Sequence, residues 1–138
     1  MRIMAIDYGD AHTGIAISDP TGLLAGFTTV INSRRQEVVV EQVALIAKEH
    51  GAEELVLGHP VNMDGTLGPR SEKAKAMKAL LEEATALPVI LWDERRTTID
   101  AHNILFNSGK NAKQRKKVVD AVAASLILEG YLTFKKSH

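Results

Sequence analysis

Residues 2–9, Arg-Ile-Met-Ala-Ile-Asp-Tyr-Gly, and residues 14–19, Gly-Ile-Ala-Ile-Ser-Asp, decide the fold of this chain. An apolar run ends on the carboxylate of Asp7, turns through glycine, and returns as a second apolar run. This pattern predicts two antiparallel strands joined by a tight turn, with Asp7 where a buried strand reaches the surface. A charge there is costly unless it is paired, hydrogen-bonded or bound to a cation. Asp7 is therefore either a turn-initiating residue, as Asp often is, or a ligand for a metal ion.

Length and composition indicate one globular domain spanning residues 1–138. The chain is 45% hydrophobic and 25% charged, which is ordinary for a soluble protein and excludes extensive disorder. No apolar stretch approaches the roughly 20 residues that a membrane-spanning helix needs. The absence of cysteine excludes disulfides, thiolate zinc sites and cysteine nucleophiles. Strand-like sequence at the start, with no signal segment, predicts a cytoplasmic location without membrane association.

Basic residues are clustered although the formal net charge is zero. One short segment without an acidic residue contains Lys110, Lys113, Arg115, Lys116 and Lys117. Such a cluster can hold a polyanion even on a neutral protein. The alternative interpretation is a solvated surface loop, which is what most basic runs are.

Hydrophobic periodicity and turn residues predict nine elements along the chain. The predicted strands cover residues 2–8, 14–19, 24–31, 54–58 and 89–92. The predicted helices cover residues 36–51, 71–85, 99–106 and 118–134, and the Pro- and Gly-rich residues 59–70 form a loop. Short connections make the first three strands antiparallel, whereas strands four and five are each reached through a helix and are parallel. We therefore predict an α/β fold with a mixed five-stranded sheet, three strands antiparallel and two parallel, flanked by helices.

Four acidic residues stand out by their placement: Asp7, Asp93, Glu94 and Asp120. Asp93 and Glu94 follow strand five at its carboxyl edge, where ligands of open α/β sheets bind. Each residue also has a plain structural interpretation. Asp93 and Glu94 can pair with Arg95 and Arg96, and Asp120 can cap a helix. Acids from strand one, strand five and the last helix that meet at one edge would instead form a Mg²⁺ or Mn²⁺ site.

The order and placement of these motifs resemble the YqgF family of the RNase H-like superfamily, across essentially the whole chain. The motifs that carry the resemblance are residues 6–9 with 14–19, 55–60 with 63–66, 92–95 with 97–98, and 120–124. The resemblance implies an acidic triad of Asp7, Glu94 and Asp120, with Asp93 as a further possible ligand. It also implies a loop beside the site, comprising Gly58, Pro60, Asp64, Gly65 and Gly68.

The resemblance assigns nucleic-acid contacts to Arg95, Thr97 and Thr98. Lys113, Arg115, Lys116 and Lys117 are candidates for the same role through their charge. Four positions depart from the family pattern: His12 replaces a usual Arg, Thr13 an aliphatic residue, His59 a Leu, and Arg96 an apolar or aromatic residue. These departures bear on substrate fit rather than on catalysis, since the acids are intact. A neutral His12 would hold a phosphate more weakly than an arginine, which is always charged.

The function that the resemblance implies is a metal-dependent endonuclease that cuts structured nucleic acid. Two metal ions about 4 Å apart, with Asp7 as the bridging ligand, would activate water and stabilise the leaving 3′ oxygen. The leading role is processing of the 5′ end of pre-16S ribosomal RNA. Three alternatives remain: a Holliday junction resolvase, which needs a two-fold dimer, a non-catalytic nucleic-acid-binding module, and a nucleotide-binding module related to sugar kinases. The last alternative needs a second lobe for which 138 residues leave no room. The sequence is compatible with a monomer or a homodimer.

Overall fold

Alternating apolar residues build five strands, and apolar stripes build three helices, in the part of the chain that the structure describes. The structure is a computed structural model that describes residues 1–19, 25–59, 68–93 and 112–137. The strands are β1 (Arg2–Asp7), β2 (His12–Ser18), β3 (Ala25–Asn32), β4 (Ala52–His59) and β5 (Val89–Asp93). The helices are α1 (Gln36–His50), α2 (Pro69–Thr85) and α3 (Ala112–Ser137).

The five strands form one mixed sheet in the order β3-β2-β1-β4-β5. β2 is antiparallel to both β1 and β3, whereas β4 is parallel to both β1 and β5. The predicted α/β fold is therefore confirmed. Because β1, β4 and β5 run in the same direction, their carboxyl ends meet at one edge of the sheet, which we call the carboxyl edge.

Each face of the sheet is covered by its own helices. Met4, Ile6, Leu55 and Leu57 form a buried cluster with residues of α1 and α2. On the other face Ile3, Ala5, Ala16 and Val56 are buried with residues of α3, namely Ala124, Ile127, Leu128, Tyr131 and Leu132. We call the first of these sides the α1–α2 face and the second the α3 face. Since successive strand residues alternate between faces, each position along a strand has a defined side.

Several predicted boundaries were wrong. β2 begins at His12, and β4 spans Ala52–His59, beyond the predicted residues 54–58. α2 begins at Pro69, whose fixed φ and missing N–H suit a first helical position, so the predicted loop 59–70 was too long. Asp93 is the last residue of β5 rather than the residue after it. The predicted helix 99–106 lies outside the described residues.

Of the two interpretations of the basic segment, the surface loop is wrong for residues 112–117. α3 begins at Ala112, six residues before the predicted start, so Lys113, Arg115, Lys116 and Lys117 lie in a helix. Lys, Arg and Gln are strong helix formers, and neither Gly nor Pro interrupts residues 110–129. No helix of the described residues is long and apolar enough to cross a membrane.

A buried carboxyl group joins α3 to the sheet. Glu54 in β4 is only 8% exposed, and it accepts hydrogen bonds from the Tyr131 hydroxyl and, at 3.0 Å, from Lys135 Nζ. The Lys135 ammonium also lies 5.6 Å from the centre of the Tyr131 ring. Burial, and then the hydrogen bond to Glu54, raise the pKa of Tyr131. Tyr131 thus secures α3 against β4 only while its hydroxyl keeps its proton.

We expect Tyr131→Phe to lower the free energy of unfolding by about 1–3 kcal/mol at pH 7, because buried Glu54 loses a donor. The native pKa of Tyr131 exceeds its unfolded value of about 10, so its contribution is complete below pH 10 and is lost as pH rises further. The difference in free energy of unfolding between the unmodified chain and Tyr131→Phe should therefore become smaller above pH 10. Chemical denaturation at pH 7 and pH 11 measures both effects. Tyr8→Phe, on the α1–α2 face, is the control, and equal losses in the two variants would contradict the prediction.

Thr13 has a buried polar group in the apolar core of the α1–α2 face. Its side chain is completely buried in β2, and among the described residues its Oγ1 has no hydrogen-bond partner. It faces the α1–α2 side, as do Ile15 and Ile17 of the same strand. A buried hydroxyl without a partner carries a desolvation cost that a methyl group does not.

Thr13→Val should therefore raise the free energy of unfolding by about 1 kcal/mol, since valine has the same shape without the hydroxyl. Thr28→Val is the matched control because Thr28 is exposed on β3. Thermal or urea unfolding of both variants gives the comparison. A destabilised Thr13→Val variant would show that the hydroxyl has a partner.

Candidate active site

Asp7 ends the central strand β1 at the carboxyl edge. It is half-buried, whereas Met4, Ala5 and Ile6 before it are completely buried. In the sheet it pairs with Gly14 of β2, which has no side chain to cover the carboxylate. Strand alternation gives Asp7 the same side as Ile3 and Ala5, which is the α3 face. The carboxylate is thus held on a rigid strand at the boundary between core and solvent.

Two constraints fix the turn after Asp7, and an exposed ion pair borders it. A Cβ at Gly9 would overlap the backbone carbonyl oxygen of His12, so only glycine fits there. The Ser33 backbone N–H donates to the Ala11 carbonyl at 3.0 Å, which ties the turn to the end of β3. Lys73 Nζ of α2 lies 3.4 Å from Asp10 Oδ1. The steric limit at Gly9 and the hydrogen bond to Ser33 position the turn relative to β3, and with it the residues that border Asp7.

His12 lies on the same edge and the same face as Asp7. It begins β2, two residues before Gly14, and its Nδ1 is 2.7 Å from Oδ1 of Asn32, the last residue of β3. Because an amide oxygen only accepts, Nδ1 carries the proton and donates it. The other ring nitrogen, Nε2, is then an acceptor in the neutral ring and a donor in the charged ring. His12 is therefore held in place beside the site by a residue that the sequence analysis did not select.

Asp93 lies at the same edge but on the opposite face. It pairs in register with His59 of β4, and the alternation of Val89, Leu91 and Asp93 points toward the α1–α2 side. β4 separates β5 from β1, so the axes of the two strands are about 10 Å apart. The structure thus places Asp7 and Asp93 at one edge without bringing them together.

His59 connects the end of β4 to the start of α2. Its Nε2 lies 2.6 Å from Oγ of Ser71, a residue that is completely buried. A Leu at position 59, which the resemblance leads us to expect, could not make this hydrogen bond. Neither Ser71 nor Lys73 could be selected from the sequence, because both contact partners that are distant along the chain.

The remaining predicted residues lie mostly outside the described side chains. Pro60, Asp64, Gly65, Glu94, Arg95, Thr97 and Thr98 lie outside the described residues. Asp120 and the basic residues Lys113, Arg115, Lys116 and Lys117 lie in α3, but side chains are described only after residue 121. Gly58 is in β4, one residue before His59. Among the described side chains no group of three His, Asp or Glu residues could hold a metal ion.

A groove between α1 and α2 is separate from this edge. Its volume is about 540 Å³, and it is lined by Leu45, Lys48, Ala52, Thr85 and Leu87 among others. Ala52 begins β4 and Leu87 precedes β5, so the groove lies at the amino ends of the parallel strands. It is therefore not part of the candidate site.

Comparison with known proteins gives matches that span nearly the whole chain. A family model described as "RuvX: Holliday junction resolvase" matches residues 1–134. A protein of Halothermothrix orenii, named "Putative pre-16S rRNA nuclease", is 42% identical over 135 residues, which are 98% of this chain and 96% of that protein.

Solved structures show the same fold at low sequence identity. T. thermophilus RuvC in complex with a Holliday junction substrate has a TM-score of 0.63 at 12% identity, covering 99% of this chain and 96% of that one. A ROK hexokinase from Thermus thermophilus has a TM-score of 0.52 at 23% identity, covering 75% of this chain but only 38% of the hexokinase. The fold is therefore shared with a resolvase over its full length and with a kinase over part of its length.

We expect Gly9→Ala to destabilise the chain by about 1–3 kcal/mol, because the new methyl group displaces the carbonyl of His12 and opens the turn. Gly26→Ala is the control, since a Cβ there meets only ordinary contacts at 3.4 Å from Asp19. Thermal unfolding of the two variants measures the difference. If Gly9→Ala unfolds at the temperature of the unmodified chain, the turn is not constrained by this contact.

Proposed function

Because the chain belongs to the RuvX family of Holliday junction resolvases, we propose that it is a divalent-metal-dependent endonuclease that hydrolyses phosphodiester bonds in structured nucleic acid. The observation that carries the proposal is the position of Asp7, a half-buried carboxylate at the end of a completely buried central strand. Its favoured substrate is the 5′ end of pre-16S ribosomal RNA. The names of the curated relatives support this choice.

The proposed catalytic and metal-binding residues are Asp7, Glu94 and Asp120. Asp93 has the side of the sheet opposite to Asp7, which disfavours Asp93 as the principal partner of Asp7. Glu94 is proposed for that role because the resemblance implies it. Asp93 remains a possible outer ligand.

The periodicity of α3 supports Asp120. Ala124, Ile127, Leu128 and Tyr131 are the buried stripe of α3 against the sheet face that Asp7 borders. Residues three and four apart lie on the same side of a helix, so position 120 continues this stripe one turn before Ala124. The helix that packs against the Asp7 face therefore carries the third acid of the triad.

Three carboxylates suit Mg²⁺ or Mn²⁺, because hard divalent cations prefer oxygen ligands. Such a cation, when bound, lowers the pKa of a coordinated water and neutralises charge that develops on the leaving oxygen. The chain itself contributes rigidity. β1 fixes Asp7, the constrained turn at Gly9 fixes its neighbours, and α3 packs along the same face.

Binding of the substrate backbone is assigned to His12, Arg95, Thr97 and Thr98 and to the basic residues of α3, Lys113, Arg115, Lys116 and Lys117. The first turn of α3 contains no acidic residue. Cations near a helix amino terminus are disfavoured by the helix dipole, whereas a phosphate group there is favoured. A bound polyanion would relieve this unfavourable arrangement.

A second candidate function is resolution of Holliday junctions, as the description of the family and the shared fold of T. thermophilus RuvC suggest. This function requires a two-fold dimer, whereas RNA processing is possible for a monomer. Either function places the protein in the cytoplasm, with nucleic acid as its partner.

A cleavage assay discriminates between the two functions. A pre-16S fragment and a four-way DNA junction would be incubated with Mg²⁺, with Mn²⁺ and with a chelator. We expect metal-dependent cuts in the RNA that leave 5′-phosphate and 3′-hydroxyl ends. Symmetric cleavage of the junction alone would establish the resolvase function, and cleavage of neither substrate would contradict the proposal.

We expect Asp7→Asn to lower the cleavage rate by orders of magnitude while nucleic-acid binding persists, because the amide cannot replace an anionic metal ligand. Stability without metal should stay equal or rise, since repulsion among clustered acids is relieved. The increase in melting temperature on adding Mg²⁺ or Mn²⁺ should shrink, by linkage. Cleavage rates and thermal unfolding with and without metal give these readouts.

Glu53→Gln is the control for Asp7→Asn, because Glu53 is an exposed carboxylate at the opposite end of the sheet, in β4. It should leave both cleavage and the response to metal unchanged. An Asp7→Asn variant that cuts at the normal rate would make Asp7 a turn residue only.

A further inference from the structure

Three lysines of α2 make ion pairs, and one of them, Lys73, pairs with a residue outside the helix. Lys75 pairs with Glu72 and Lys78 with Glu82, within α2 itself. Lys73 instead reaches Asp10 in the turn that follows Asp7. Lys73 thus brings a positive charge from a separate element to the carboxyl edge of the sheet.

The contact between Lys73 and Asp10 is open to exchange. The two charged atoms are 3.4 Å apart, at the long end of hydrogen-bond distances, and the side chains are 60% and 80% exposed. Exposed pairs of this kind contribute little to stability. Asp10 would remain fully hydrated without Lys73, so a competing anion could take its place without burying a bare charge.

A hydrogen bond between β4 and α2 holds the start of the helix where Lys73 reaches the turn. His59 Nε2 and Ser71 Oγ are 2.6 Å apart, and Ser71 is completely buried two residues before Lys73. The Ser71 backbone N–H also donates to the Gly68 carbonyl at 3.0 Å, within the first turn. The first turn of α2 is therefore fixed to the last residue of the strand beside β1.

We infer that Lys73 binds a phosphate group of the nucleic-acid backbone at the border of the candidate active site, and that His59 and Ser71 are the residues that position it. This inference rests on the proposed function, because it names the contact that the same substrate makes. The ammonium group exchanges the Asp10 carboxylate for a phosphate oxygen, and no covalent step is involved. A leucine at position 59 would leave the Ser71 hydroxyl without this partner, so this positioning depends on His59.

Lys73→Gln tests the contact directly, with Lys75→Gln as the matched control. Lys75 is also exposed on α2, but two residues along the helix it lies on a different side. Binding of the RNA fragment and of the junction would be measured by titration at several salt concentrations without divalent metal. For Lys73→Gln we expect about 3- to 10-fold weaker binding and a salt slope reduced by about 0.7–0.9, the change for one lost phosphate contact. Equal slopes for Lys73→Gln, Lys75→Gln and the unmodified chain would overturn the inference.

Asp10→Asn separates phosphate binding from simple neutralisation of Asp10. If Lys73 contacts phosphate, Asp10→Asn should bind nucleic acid more tightly, because the lysine loses its competitor. The double variant Asp10→Asn/Lys73→Gln should still have the reduced salt slope. If the double variant instead matches the unmodified chain in slope and affinity, Lys73 only neutralises Asp10, and the inference is wrong.

His59→Leu and Ser71→Ala test the positioning. Both should weaken binding, and Lys73→Gln should have a smaller effect in the His59→Leu background, because the lysine is no longer held at the turn. His59→Gln, which can keep the hydrogen bond, should restore the full effect of Lys73→Gln. A lower melting temperature in His59→Leu with an undiminished effect of Lys73→Gln would make His59 a stabilising residue only.

These measurements distinguish failure of the inference from failure of the proposed function. Loss of the Lys73 effect in a chain that still cuts RNA overturns the inference alone. A clear Lys73 effect in a chain that binds but never cuts supports the inference and overturns the nuclease function. A chain that binds neither nucleic acid overturns both.

Discussion

Burial of β1 is the constraint on which the rest of the structure depends. Met4, Ala5 and Ile6 are completely buried between β2 and β4 and beneath helices on both faces. A strand enclosed in this way can place a charged side chain in contact with solvent only at its ends. The carboxyl end of β1 is Asp7. The apolar residues that make β1 rigid therefore also determine where a carboxylate can stand at the surface without a large desolvation penalty. Core packing and placement of the candidate site are consequences of the same strand.

The two faces of the sheet carry different residues at the carboxyl edge. The α3 face carries Asp7 and His12, whereas the α1–α2 face carries His59 and Asp93, with Ser71 of α2 packed against it. One face therefore presents the acid that we assign to catalysis, and the other anchors α2. Lys73 and Asp10 connect the two arrangements across the edge. If Lys73 contacts the substrate as we infer, a substitution of His59 on the α1–α2 face would change that contact, because His59 holds the first turn of α2.

The sheet could be predicted from the sequence because its signals are local. Apolar runs, glycine turns and intervening helices set the number and direction of the strands, and the predicted mixed sheet is confirmed. Boundaries were less accurate, since Lys113, Arg115 and Lys116 favour a helix as readily as a solvated loop. The contacts of His12 with Asn32 and of His59 with Ser71 were not predictable, because each joins residues that are distant in sequence. The side of the sheet on which Asp93 lies was not predictable either, because it depends on the register of β5 against β4.

His12 and His59 stand where the resemblance leads us to expect Arg and Leu, and they change the kind of contact that the edge can make. An arginine at position 12 would be a permanent donor, whereas His12 donates Nδ1–H to Asn32 and leaves Nε2, which accepts or donates according to its charge. A leucine at position 59 would only pack, whereas His59 fixes the first turn of α2. The permanent positive charge absent from position 12 is thus available nearby from Lys73, on a helix that the second histidine holds in position. Since both histidines lie at the same edge, we interpret them as one adjustment of the contacts available beside the carboxylate of Asp7.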